Sequence, residues 1–276
     1  MTLNEFKFTY KTNDIFKLMI LSDLHVQSPE ADIIRLKKDL ESIKDDDKAY
    51  IIGNGDWFDA IVVPDIRYSK TSDDTKTPAI INECADQLES IMSPYRDKIL
   101  GIGIGNHAWK YVKKCGTDPV LLLCKTLSTE THQIKHLGYS GIARFKFEHE
   151  VGGGIKNFIY YQHHGWGAGM QTEGGSITKY ARHAKNWRAA LHVYGHDHHK
   201  EFKELPTRLG MASQACKWQE EKEYLVLAGS YLKTFNKLNY PTYSEENGMH
   251  PTPLGCVVVS LQVKHDEMVI SDASYI

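Results

Sequence analysis

Five short tracts of the chain carry side chains that ligate divalent metals: SDLH (22–25), GNGDWFD (53–59), GIGNH (103–107), QHHG (162–165) and GHDHH (195–199). Asp23 and His25 are two residues apart, and so are His196 and His198. On an extended backbone alternate side chains share one side, so each pair is expected to aim at a common point. Asp56, Asp59, Asn106, His107, His163 and His164 complete the set. Carboxylate, imidazole and amide oxygen, with no thiolate among them, suit Mn²⁺, Fe, Zn²⁺ or Ni²⁺ rather than a soft metal. Taken singly, His25 reads as a surface histidine and Asp56 as a turn residue beside Gly55. Five such tracts in succession do not read that way.

The tracts share a position as well as a chemistry. FKLMILSD (16–23), AYIIGNGDWFD (49–59) and KILGIGIGNH (98–107) are apolar runs that end in the candidate ligands, as buried strands would. Between them SPEADIIRLKKDLESIK (28–44) and PAIINECADQLESIM (78–92) have helical periodicity, with Ser28 as an expected cap and Pro29 in the first turn. Strand, helix, strand, helix, strand predicts an α/β unit with a parallel sheet. ARFKFEHEV and KNFIYYQHHG, separated by VGGG, predict a hairpin. SITKYARHAKNWRAAL predicts a helix, LHVYG a strand, and EYLVLAGSYL, GCVVVSLQV and EMVISDASYI three more strands. In open α/β sheets ligands gather beyond the carboxyl ends of the strands, so the five tracts are expected to converge. No linker, repeat or low-complexity segment interrupts residues 1–276, which predicts one domain. Stretches 60–77, 165–175 and 230–253 lack periodicity and are expected to be loops that build the substrate site.

DLH, GDWFD, GNH, HHG and GHDH, in this order, resemble the calcineurin-like metallophosphoesterases, with all five of that family's motifs present between residues 23 and 198. The chain departs from the family only after GNH, where Ala108 stands in place of a frequent acid. The resemblance implies a four-layer αββα sandwich of two mixed β-sheets flanked by helices. It implies two divalent metal ions, Mn first, with Fe, Zn or Ni as alternatives. One would be held by Asp23, His25, Asp56 and His198, the other by Asp56, Asn106, His164 and His196. His164 is chosen over His163 because the family's histidine precedes glycine; His163 should point away. A metal-bridging hydroxide would attack phosphorus, His107 would protonate the leaving oxygen, and Asp59 would hydrogen-bond the far nitrogen of His107.

That implied activity is a phosphoesterase. Neither GD nor GNH is followed by an arginine to clamp a phosphomonoester dianion; Trp57 and Ala108 stand there, and buried core is the expectation for Trp57 and Trp109. The expected substrate is therefore a phosphodiester of a nucleotide or nucleic acid. A phosphomonoesterase is the first alternative, and a non-catalytic metal-binding interaction module the second. The basic run in 176–188 offers Lys179 and Arg182 as substrate contacts, and Tyr231 is a candidate to stack on a base. With 33 Lys and Arg against 35 Asp and Glu, the chain is not one dominated by nucleic-acid backbone binding. Five scattered cysteines without a CxxC pair suggest neither a zinc knuckle nor a disulfide framework. No signal-like start and no apolar run of ~20 residues occurs, so a cytoplasmic protein without a membrane span is expected. Oligomeric state is not legible.

Overall fold

The computed structural model describes residues 1–60, 80–152, 154–167, 172, 174–211, 216, 218–235, 241–264 and 267–276. Most of the 60–77 stretch, and parts of 165–175 and 230–253, lie outside them. The strands are β1 Thr2–Tyr10, β2 Ile15–Leu21, β3 Ala49–Gly53, β4 Ile99–Ile102, β5 Lys135–His136, β6 Ser140–His149, β7 Lys156–His163, β8 Leu191–Tyr194, β9 Lys200–Glu204, β10 Arg208–Met211, β11 Trp218–Glu221, β12 Tyr224–Ser230, β13 Gly255–Lys264 and β14 Glu267–Tyr275. The helices are α1 Ile33–Glu41, α2 Ile80–Met92, α3 Asn106–Cys115, α4 Pro119–Leu127, α5 Gly175–Ala184 and the short α6 Tyr243–Glu246.

Two mixed sheets result. One runs β1-β6-β7-β8-β12, with β9 also on β12; the other runs β13-β2-β3-β4-β5, with β14 on β13. They join at a seam of two paired positions, Gly229 with Cys256 and Ser230 with Gly255. Within them β2, β3 and β4 are mutually parallel, and so are β7, β8 and β12. Period-two alternation decides what lies between the sheets. Leu18 and Ile20 of β2, Phe158 and Tyr160 of β7, and Leu191 and Val193 of β8 all enter one shared core. Phe8 of β1 meets Tyr50 of β3 at 4.9 Å across it, and Phe16 meets Phe147 at 5.0 Å. The intervening positions face outward. Met19, Leu21 and Ile51 pack under Leu36, Leu40, Leu88 and Leu123 of α1, α2 and α4. Tyr161, Tyr194 and Leu227 pack under Ile177, Tyr180 and Ala184 of α5. Helix, sheet, sheet, helix is the four-layer order that the resemblance implied.

Several elements differ from expectation. Helix α1 starts at Ile33 rather than near Ser28, because Asp32 is its cap, accepting from the Arg35 amide at 3.0 Å. Residues 28–31 instead form a turn tied by the Ala31 amide to the Ser28 carbonyl. The tract SITKYARHAKNWRAAL leaves the helix at Ala184. Strand β1, paired in register with β6, was not anticipated, nor were helices α3 and α4. Among the described residues no helix is long and apolar enough to cross a membrane.

Candidate metal centre

Each of the five tracts lies at the carboxyl end of a parallel strand: 22–25 after β2, 53–59 at the end of β3, 103–107 after β4, 162–165 at the end of β7 and 195–199 after β8. Because the two sheets face each other, the ends of β2, β3 and β4 meet those of β7 and β8 along one edge. Backbone bonds lace the tracts together. The Asp23 amide donates to Gly55 O at 3.0 Å, the His25 amide to Asp56 O at 3.0 Å, and the Gly195 amide to His164 O at 2.9 Å.

The pairing of ligands two apart is produced differently from the expected extended backbone. Asp23, His25, Asp56, His196 and His198 all lie in the left-handed region, with φ between 46° and 70°. For non-glycine residues this costs on the order of 1–3 kcal/mol each, and it persists only where the surroundings over-determine it. Side chains two apart still converge, because each tract curls around the site instead of running past it. Glycines supply the space. Gly55, at φ 114°, passes so close to His164 that a Cβ would lie 2.5 Å from Nδ1. A Cβ on Gly105 would collide with the Asp56 carboxylate.

Three overlapping sets of potential ligand atoms, each within 4.8 Å of one another, follow: Asp23, His25 and His198; His25, Asp56 and His107; Asp56, His164 and His196. The first gathers three of the four ligands expected for one cation and the third three of the four expected for the other, while Asp56, a member of the third, is joined to His25 of the first through the second set. Asn106 belongs with the third, its Oδ1 standing 3.0 Å from His164 Nε2 and 2.8 Å from His196 Nδ1. His196 Nε2 is turned away to Gly167 O at 2.6 Å, which leaves Nδ1 as the inward atom. Asp56 Oδ2 stands 3.1 Å from His164 Nε2, while Oδ1 accepts the His107 amide at the start of α3 at 2.9 Å. Asp23 Oδ2 accepts from Ser22 Oγ and, at 3.0 Å, from the His196 amide. Asp23 Oδ1 and His25 Nε2 are buried with no hydrogen-bond partner. Buried polar atoms are almost always satisfied. Two orphaned atoms 3.9 Å apart, each able to offer a lone pair, fit a cation that both would ligate.

The charges agree. Burial pushes the Asp23 carboxyl upward, but His198, whose Nε2 stands 3.4 Å from Oδ1, and the charge of His164 outweigh it and hold Asp23 well below the carboxylate range. Burial likewise opposes ionisation of Asp56, and the charges of His164 and His107 overcome it. His164 is pressed down by burial yet brought up to about 9 by the charge and hydrogen bond of Asp56. Imidazoles stand here as the counter-charges of carboxylates, where a cation would replace their protons.

Other expected residues divide. His163 leaves the centre, as anticipated: its Nδ1 accepts the Gly165 amide at 2.9 Å, its ring packs on Trp166 and His183, and burial with the His183 charge lowers it to about 4. His107 Nδ1 is 2.6 Å from the backbone carbonyl of Asp59 but 3.6 Å from its carboxylate, which is nearer His25 Nδ1 at 3.3 Å. The expected Asp59–His107 side-chain bond is thus corrected: the carbonyl orients His107 and the carboxylate orients His25. Tyr231 is not a substrate platform. It is fully buried and its hydroxyl donates to Asp39 at 3.0 Å, because the chain leaving β12 turns inward there, with the Tyr231 amide on Asp23 O. Lys179 is not a free cation either, since Asp197 binds it at 2.7 Å. Arg182 is exposed on α5. Trp57 is buried as expected, whereas Trp109 is largely exposed. Residues that the motif reading missed are Ser22 and Ser230, whose hydroxyls fix Asp23, and Asp197. Ser22 and Asp197 stood inside the tracts and were read only as spacers.

No family model and no curated protein matches the chain. Solved structures do, along its length. The calcineurin-like phosphoesterase YfkN from Bacillus subtilis is 12% identical with a TM-score of 0.39, covering 95% of this chain and 90% of that one. A metallophosphoesterase from Sphaerobacter thermophilus is 12% identical with a TM-score of 0.37, covering 95% and 88%. Vacuolar Protein Sorting 29 from Cryptosporidium parvum is 12% identical with a TM-score of 0.36, covering 95% and 98%.

Proposed function

We propose that residues 1–276 form one domain that is a dinuclear metal-dependent phosphoesterase, cleaving a phosphodiester such as that of a nucleotide, in the cytoplasm. One observation carries the reading: ligands from five strand ends close into the donor sets Asp23–His25–His198 and Asp56–His164–His196, linked by a third in which Asp56 stands with His25, and the first contains the orphaned Asp23 Oδ1 and His25 Nε2. Asp23, His25, Asp56 and His198 would hold one divalent ion, and Asp56, Asn106, His164 and His196 the other. The pair, when bound, supplies Lewis-acid charge and acidifies water enough to make a nucleophile at neutral pH.

The chain's own residues supply the rest. Asp59 O, at 2.6 Å, holds the proton on His107 Nδ1 and leaves Nε2 facing the site, 4.0 Å from Asp56 Oδ2. An imidazole so oriented beside carboxylates can carry a second proton on Nε2 and release it to the leaving oxygen. Burial of Trp57 and Ala108 supports a diester, because the positions after Asp56 and His107 present no cation to a phosphomonoester dianion. With Lys179 engaged by Asp197, a small diester is favoured over a polynucleotide.

The test is metal analysis of the purified protein, followed by assay with Mn²⁺ on bis(4-nitrophenyl) phosphate and 4-nitrophenyl phosphate. Two equivalents of metal and faster diester cleavage are expected. Faster monoester cleavage overturns the diester preference; absence of metal uptake and of hydrolysis overturns the phosphoesterase reading.

A further inference from the structure

Asp197 sits between two expected ligands, His196 and His198, both in the left-handed region, and points the other way. Its carboxylate accepts from three side chains on one face of α5: Ser176 Oγ at 2.6 Å, Lys179 Nζ at 2.7 and 2.9 Å, and Tyr180 OH at 3.0 Å. Positions 176, 179 and 180 are spaced three and four apart, so the helix presents them together. The Lys179 ammonium also donates to Trp166 O at 3.1 Å and lies 4.3 Å from the Tyr180 ring centroid. Burial and ionisation make these bonds strong. Below them α5 is fastened to the sheet through Ile177, Tyr180 and Ala184.

We infer that Asp197 is a positioning residue that clamps the 195–198 turn to α5, so that the helix, through Ser176, Lys179 and Tyr180, holds His196 and His198 in their metal-binding conformation. The inference rests on the proposed metal centre. It accounts for Lys179, within the basic run of α5, as part of a clamp on the centre.

The test is Mn²⁺ binding by calorimetry together with thermal melts of the metal-free chain, for wild type, Asp197→Asn, Lys179→Met, the double variant and Phe145→Leu. Phe145 lies in the core between the sheets and serves as a destabilised control. Asp197→Asn is expected to weaken Mn²⁺ binding roughly 10–100-fold, the usual effect of removing a group that orients a ligand. Phe145→Leu should melt earlier with unchanged affinity. Pairing Asn with Met at 197 and 179 removes the unpaired buried charge, so the double variant should regain stability without regaining affinity. Unchanged Mn²⁺ affinity in Asp197→Asn, or affinity that recovers with stability in the double variant, overturns the clamp. Failure of wild type itself to bind Mn²⁺ would overturn the metal centre instead.

Discussion

His107 and Asp56 are the residues on which chemistry and binding separate most cleanly. His107 touches the rim through Nε2 and is not needed to enclose either donor set. His107→Ala is expected to lower turnover by roughly 10²–10⁴ while metal content stays at two equivalents, measured by kinetics beside elemental analysis. Asp56 groups with His164 and His196 on one side and with His25 on the other, so Asp56→Asn should cost metal and activity together. The neighbours His163 and His164 give a sharper contrast. His164 is enclosed by Asp56 and Asn106, whereas His163 spends Nδ1 on the Gly165 amide. His164→Ala should therefore reduce Mn²⁺ affinity far more than His163→Ala; equal losses would contradict the geometry.

At the scale of elements, the close approach of the β4–α3 junction to the β3 end decides whether Asp56 can face two sets. A Cβ at 105 has no room beside that carboxylate. Gly105→Ala is expected to displace Asp56 and weaken metal binding while the far-ultraviolet spectrum stays native. Strand β8 carries a different sensitivity. His192, fully buried on the α5 side with Glu223 Oε2 3.5 Å from Nε2, is lowered to about 4 chiefly by burial, which outweighs the Ala189 backbone. The unfolded chain, near the ordinary 6.5, takes up the proton that the native one refuses. Stability is then undiminished above about 6.5 and falls as pH drops toward about 4, by about 3 kcal/mol in all. His192→Gln should flatten that limb in melts of the metal-free protein recorded against pH.

For the whole molecule, the aromatic core between the sheets keeps the ends of β2–β4 opposite those of β7 and β8. Phe145, buried against Phe6, Phe8, Phe158 and Tyr160, is central to it. Phe145→Ala should cost about 3–5 kcal/mol in denaturant unfolding. The strands β2, β7 and β8 that contribute to that core were legible in the sequence as short apolar or strand-like runs. Strand β1 alternates, FKFTY, yet it was passed over: an amino-terminal strand beside β6 has no helix or turn signal to announce it. The short strand β4, with four residues before its glycines, likewise concealed that GNH opens a helix.

The identities of the candidate ligand side chains, and their place at strand ends, were determined by sequence alone, because ligand chemistry is a property of residue type and an apolar run that stops marks a strand's end. Which atoms point where was decided only by the fold. The left-handed turns at Asp23, His25, Asp56, His196 and His198, the choice of Asp59 O over its carboxylate for His107, the burial of Tyr231 and the capture of Lys179 by Asp197 all depend on contacts between separate elements of the fold. Local pattern does not identify a tertiary partner, whether it lies 18 positions away, as Lys179 does from Asp197, or 192, as Tyr231 does from Asp39, and such contacts hold strained conformations in place.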